Sequence, residues 1–206
     1  MSDLFEGGSK LPLVEDFYTI QGEGYHTGKA AYFIRLGGCD IGCHWCDAKH
    51  TWNRHLHPLV PAEEIVQRAL TYPARAVVVT GGEPSAYPLD LFCGKLAANG
   101  IETYVETSGA YPLTGKWDWI CLSPKQNSRP LPEIYKKANE LKVIIHELSD
   151  LDWAEENAVL VQKSCFLYLQ PEWSRYKEII PAVVEYVKEH PSWNVSLQAH
   201  KFMHIP

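Results

Sequence analysis

Seven short apolar runs rich in Val, Ile, Tyr and Phe recur along the chain, at 30–35, 76–80, 101–106, 117–122, 141–145, 165–170 and 193–198. Their length and composition predict strands. Between most of them lie segments with helical spacing and start signals. Pro61 precedes Glu63 and Glu64, 89–99 closes on Gly100, a Ser149 to Asp152 box precedes Trp153, and 175–190 is helical with Pro181 expected to kink it. Strands alternating with helices build a mostly parallel sheet, and right-handed crossovers bring all strand C-termini to one edge. The expected architecture is α/β, an incomplete TIM-like βα barrel, as one domain across 1–206. The first 30 residues and the tail HKFMHIP are expected to stand outside the alternating core.

The residues able to do chemistry fall directly after these strands: three cysteines after Arg35, GGEP after Thr80, TSG after Glu106, SPK after Leu122 and QP after Leu169. That is the edge where a βα barrel carries its site. With 46% hydrophobic residues in 206, the chain can fill a core. A formal net charge of -6 and the lack of any basic run argue against direct nucleic-acid binding. The acidic start and the absence of an apolar run near ~18 residues argue against a secretion signal or membrane span, so a soluble, cytoplasmic protein is expected.

Cys39, Cys43 and Cys46 form a C-x3-C-x2-C run, whereas Cys93, Cys121 and Cys165 each sit alone in apolar surroundings and read as small buried hydrophobes. Three thiolates on one loop can bind three irons of a 4Fe-4S cube and leave the fourth iron open to a small molecule. With His44, His50, His55 and His57 nearby, a tetrahedral zinc site is the alternative, which would make the chain a zinc-stabilised binding module.

The cysteine run, with Trp45 before its last member and Gly81-Gly82-Glu83-Pro84 after the next strand, resembles the radical S-adenosylmethionine superfamily. The segments FYTIQGEGYHTG, FIRLGGC, WCD, HTW, VVVTGGEP, ETSG, SPK, LQP and HKFMHIP are similar to the 7-carboxy-7-deazaguanine synthase family and span almost the whole chain. The resemblance implies a partial barrel of the radical S-adenosylmethionine type and a carbon–nitrogen lyase. Its reaction would convert 6-carboxy-5,6,7,8-tetrahydropterin to 7-carboxy-7-deazaguanine and ammonia, on the route to queuosine. It also implies a 4Fe-4S cluster on the three cysteines, S-adenosylmethionine that is re-formed each turnover, an electron donor such as flavodoxin or ferredoxin, and a homodimer. Glycyl-radical activases share the cysteine spacing and are the alternative enzyme class.

Carried over by motif, the cofactor contacts are Trp45, Gly82, Glu83, Ser123, Pro124, Lys125 and Gln170. The substrate contacts are Ile20, Gln21, Gly22, Glu23, Arg35, Thr80, His204 and Pro206. An amide and a carboxylate suit the alternating donors and acceptors of a pterin edge, and an arginine fork suits its carboxylate. Outside the family pattern, Arg35 would read as a strand-end salt bridge, Gln21 and Glu23 as a solvated turn, Lys125 as an exposed loop lysine, and His50 as a packing or surface residue. One position departs from the family. Ala48 stands where its members carry Thr or Ser, whose hydroxyl joins Mg2+; a methyl cannot ligate a metal, leaving Asp47 as a possible carboxylate ligand.

Overall fold

The apolar runs become strands arranged in chain order. The structure, a computed structural model, describes residues 5–206. Its strands are β1 (Lys10–Ile20), β2 (Ala30–Leu36), β3 (Leu59–Pro61), β4 (Ala76–Gly81), β5 (Glu102–Thr107), β6 (Trp119–Leu122), β7 (Glu140–Ile145), β8 (Phe166–Pro171) and β9 (Trp193–Val195). They form one sheet in the order β3-β1-β2-β4-β5-β6-β7-β8-β9. From β2 to β9 every pairing is parallel, so each crossover advances the sheet in the same direction. That is the winding of a βα barrel, left open because β3 and β9 are its two edges.

The outer face carries helices α1 (Ala62–Leu70), α2 (Asp90–Ala98), α3 (Pro132–Tyr135), α4 (Asp150–Ala158) and α5 (Tyr176–Glu189), and α6 (Ala199–Met203) follows β9. Helix α1 forms because Ala62, Ile65, Val66 and Ala69 fall on one stripe, with Glu63 and Glu64 in its first turn where the helix dipole favours acids. That stripe packs with Ile34, Leu36, Val77 and Val79 in one outer core. A second unites Leu141, Val143, Ile145 and Leu169 with Trp153, Ile179 and Val183. The alternate residues point inward. Ala31, Val78 and Tyr104 pack together inside. Nearer the strand C-termini the inward positions turn polar, with Arg35, Thr80, Glu106, Lys142 and Gln170 all lining one cavity.

Several details differ from the sequence-based expectation. The first 30 residues are not outside the core: β1 pairs antiparallel with β2 and buries Leu11 and Leu13 completely or nearly so. A register shift between Leu13 and Glu15, together with Pro12, breaks the two-residue alternation by which a strand is recognised. Likewise the tail forms α6 and joins the inner cavity through His200, Lys201 and Pro206. Ser149 makes no side-chain cap; Asp150 instead accepts from the backbone N–H groups of His146 and Glu147. No described helix is long and apolar enough to cross a membrane.

The loop from Gln21 to Lys29 bridges the open side of the barrel. Gly24 N–H donates to the Ser196 hydroxyl and Ala199 N–H to the Gly22 carbonyl, tying the turn ahead of β2 to the segment after β9. Tyr25 and His26 fill the barrel floor, with His26 stacked on Tyr104 at 4.2 Å and Tyr25 on Trp119 at 4.5 Å. Gly24, at φ +62°, lies so close to the Glu140 carboxylate that no side chain fits.

Candidate functional site

The exits of β2 and β4 are stitched together by backbone. Gly82 N–H donates to the Leu36 carbonyl at 2.8 Å, and Glu83 N–H to the Gly38 carbonyl at 2.8 Å. A Cβ on Gly82 would collide with the Gly38 carbonyl, and one on Gly81 with the backbone of Leu36. Gly81 and Gly82 are thus required for the close approach of the two loops. Glu83, 2% exposed, then binds the exit of β5: its carboxylate accepts from the N–H and hydroxyl of both Ser85 and Ser108 and from the Thr107 hydroxyl. These bonds use its acceptor capacity and give it a positioning part in the cofactor end.

This scaffold sets the cysteine loop over a cavity of ≈ 430 Å³, within the size range of small-molecule sites. Cys39, Cys43 and Cys46 all line it, half-buried and free of disulfides. Gly38 N–H and Cys39 N–H are anchored on the carbonyls of Thr51 and Trp52, and Ala48 N–H lies 3.4 Å from the Cys46 sulfur. N–H donation to a ligating sulfur is the setting an iron–sulfur cluster uses. Burial first, then Glu83 and the other two cysteines, push the Cys39 thiol up to about 11, so it is a bound cation that makes it a thiolate. Among the described residues no three His, Cys, Asp or Glu side chains already converge as a metal cage. Three free thiols on one loop beside a ligand-sized cavity are a donor set that fits a 4Fe-4S cluster.

At the cofactor end, Lys125 lies over the Trp45 ring at 5.4 Å and donates to the Ser123 carbonyl at 2.8 Å and to the Ser123 hydroxyl. Burial lowers its pKa. It is no exposed loop lysine. Trp45, Gly82, Glu83, Ser123, Lys125 and Gln170 all line the cavity, while Pro124 does not. Gln170, buried, accepts from the Ser196 hydroxyl at 2.6 Å.

The same cavity is lined by Ile20, Gln21, Gly22, Glu23, Arg35, Thr80 and Pro206. Arg35 donates through Nε to Glu15 at 2.7 Å, so the strand-end pair exists, and it involves none of the Nη hydrogens. Gln21 is buried and donates to Glu106 at 3.3 Å. Glu23 accepts from Lys142 at 2.6 Å and from Gln198 at 2.9 Å. Burial works to raise its pKa, yet the Lys142 ammonium and these hydrogen bonds hold it down to about 2. The turn is therefore not solvated. Pro206 reaches the cavity, its oxygen within 3.4 Å of the Thr19 hydroxyl, whereas His204 is exposed outside it. The tail histidine lining the cavity is His200, and burial lowers its pKa.

The sequence reading missed Lys142, Glu106 and Gln198. Glu106 closes the run expected at 101–106, just before a recognised turn, and could have been found there; Lys142 sits inside an apolar run, where periodicity carries no sign of a buried cation. The magnesium position does not fit its metal. Ala48 presents a methyl, and Asp47 accepts from Lys201 at 2.9 Å, an ammonium already on the carboxylate.

A family model described as Radical SAM superfamily matches residues 33–122. The 7-carboxy-7-deazaguanine synthase of Flavobacterium psychrophilum is 55% identical over 201 residues, covering 98% of this chain and 95% of that protein. That of Synechocystis sp. is 46% identical over 194 residues, covering 94% and 93%. The crystal structure of QueE from Escherichia coli superposes with a TM-score of 0.82 at 31% identity, covering 97% of this chain and all of the other.

Proposed function

The chain belongs to the 7-carboxy-7-deazaguanine synthase family of radical S-adenosylmethionine enzymes, and from that premise we propose that its cavity converts 6-carboxy-5,6,7,8-tetrahydropterin to 7-carboxy-7-deazaguanine with release of ammonia. It is a lyase, and the relatives set aside the glycyl-radical activase and the zinc module. The single observation that carries the reading is one cavity lined both by the three cysteines and by Gln21, Glu23, Arg35 and Thr80.

When bound, the cluster and S-adenosylmethionine supply a carbon-centred radical that takes a hydrogen atom from the substrate. The chain's own residues do the rest by placement. Cys39, Cys43 and Cys46 hold the cluster. Lys125, anchored on Ser123 and flanked by Trp45, offers an ammonium to the carboxylate of the cofactor, with Gly82 and Gln170 lining the same cavity. Glu83 ties the glycine turn to the exit of β5 and to the start of the cysteine loop. Arg35 offers its Nη hydrogens to the substrate carboxylate, and Gln21 and Glu23 meet the pyrimidinone edge. Ile20, Gly22, Thr80 and Pro206 line the same cavity, and His204, exposed outside it, has no part in this reading.

Magnesium is not part of this reading: Lys201 supplies the positive charge beside Asp47 that a metal ligated by a Thr hydroxyl would otherwise bring. A one-electron donor of the flavodoxin or ferredoxin type and a homodimer complete the proposal. The test is an anaerobic turnover with reconstituted cluster, S-adenosylmethionine, reductant and the pterin, read by mass spectrometry. Formation of 7-carboxy-7-deazaguanine supports the reading; 5'-deoxyadenosine without that product keeps the radical chemistry and overturns the substrate.

A further inference from the structure

Lys142 stands on β7, only 4% exposed, inside a cavity whose recognised residues do not include it. Its Nζ donates to Glu23 at 2.6 Å and to Glu106 at 2.8 Å. A buried lysine is costly to desolvate, and here two of its three N–H donors are engaged by carboxylates. We infer that Lys142 is a positioning residue for the substrate, its ammonium fixing the Glu23 and Glu106 carboxylates as a pair of acceptors for the donor-rich edge of a pterin. The inference rests on the reading of this cavity as a pterin site.

The chemistry requires acceptors there. The exocyclic amine and the neighbouring ring N–H of a pterin are both donors, and a protonated carboxyl would oppose one of them with its own O–H. Buried carboxylates without a cation take up that proton. Glu23 and Glu106 each engage further protein donors, Gln198 on the first and Gln21 on the second, so each is oriented from two directions. A carboxylate has about four lone-pair sites, and capacity remains on both for a ligand.

The groups facing this cluster come from every surrounding element. Cys121 on β6 is raised by burial and stays a neutral thiol. Glu140 on β7 is also raised by burial. Lys125 after β6 is lowered by burial, as is His200 on α6. Gln170 on β8 is uncharged, and Lys201 is paired with Asp47 of the cysteine loop. Lys142 is therefore the cation directly bonded to Glu23 and Glu106.

The experiment compares wild type, Lys142→Met and Lys142→Arg in reconstituted holoenzyme, measuring kcat and KM for the pterin from neutral to alkaline pH, the Kd for S-adenosylmethionine, and thermal unfolding. Loss of the charge-assisted arrangement should raise the KM of Lys142→Met by about 10- to 100-fold at neutral pH. That KM should fall as pH rises, because Glu23 must now lose a proton before it accepts, while S-adenosylmethionine affinity holds and Lys142→Arg restores most of the wild-type KM. A KM unchanged at every pH, or raised equally at every pH with Arg no better than Met, would overturn the inference and leave Lys142 as structural glue. Should Lys142→Met fail to fold, the double variant Lys142→Met with Glu106→Gln removes one negative charge along with the cation, and the same pH-dependent KM is expected of it. Wild type that forms no 7-carboxy-7-deazaguanine overturns the pterin reading and this inference with it; wild type that turns over while Lys142→Met is indifferent overturns the inference alone.

Discussion

The amide of Gly82 donates to the carbonyl of Leu36 at 2.8 Å, and no side chain fits at Gly82 because the Gly38 carbonyl occupies the space. The loop that holds the cysteines and the glycine turn are therefore one unit, and a change in either moves both.

Gly82→Ala should force the two loops apart. Overpacking against backbone costs about 1–3 kcal/mol, since neither carbonyl can swing aside as a side chain tip would. Thermal unfolding of the cluster-free protein and iron content after reconstitution should both fall; a variant that keeps both would show that the loops are not coupled.

Glu83→Gln should be nearly as harmful despite its equal size. Its carboxylate receives only donors, so an amide NH2 must face at least one of the serine or threonine groups. Loss of a buried charged acceptor costs about 1.5–3 kcal/mol. The unfolding temperature without ligands is the readout, and an unchanged value would sink the account.

Glu23 makes stability depend on acid. Its pKa is near 2 when folded and 4.5 otherwise, so its stabilising share is complete above 4.5 and disappears as pH falls toward 2. The full share is on the order of 3 kcal/mol. The stability gap between wild type and Glu23→Gln should shrink steadily across that window; a gap constant with pH would rule out the ionised pair.

His26 behaves in the same sense at higher pH. Both ring nitrogens are buried without a partner, and burial, then Lys29, lower its pKa below 6.5. The folded state is thus penalised as pH drops below 6.5, where the unfolded chain binds the proton. His26→Phe keeps the stack on Tyr104 and should gain about 1 kcal/mol, more in mild acid than in base. Chemical denaturation at the two pH values decides it, and a destabilised variant would contradict the unpartnered ring.

Turnover of the wild type should vary little with added magnesium, because Lys201 already sits on Asp47 and Ala48 has no hydroxyl. Ala48→Thr combined with Lys201→Met should acquire a magnesium response. A steep requirement in the wild type, unaltered by Ala48→Thr, would refute the substitution of metal by ammonium.

The parallel strands were legible because each is covered on its outer face by helices, so its apolar run stands out whatever its neighbours are. The run predicted at 193–198 stops pairing at Val195, since Ser196 and Gln198 turn away to reach Gln170 and Glu23. Strand β1 escaped notice through Pro12 and its shifted register, and β3 is only three residues long. The motif residues at strand exits were visible as motifs, and most of them do meet in one cavity. His204 shows the limit: two histidines four residues apart would share a helix face, but α6 ends at Met203 and His204 takes a left-handed backbone at φ +55°, so His200 lies inside and His204 out.

By itself the sequence determined what depends on local spacing and residue chemistry: the alternation that winds a βα sheet, the three cysteines close enough to share a cluster, the glycines without which two loops could not touch, and a methyl where a metal ligand would be needed. The tertiary structure alone decided which distant charges are paired. Lys142 and Glu23 lie 119 residues apart and meet only because the loop after β1 crosses the open side of the barrel. A buried charge acquires its protonation state from what surrounds it in space, and no order along the chain contains that information.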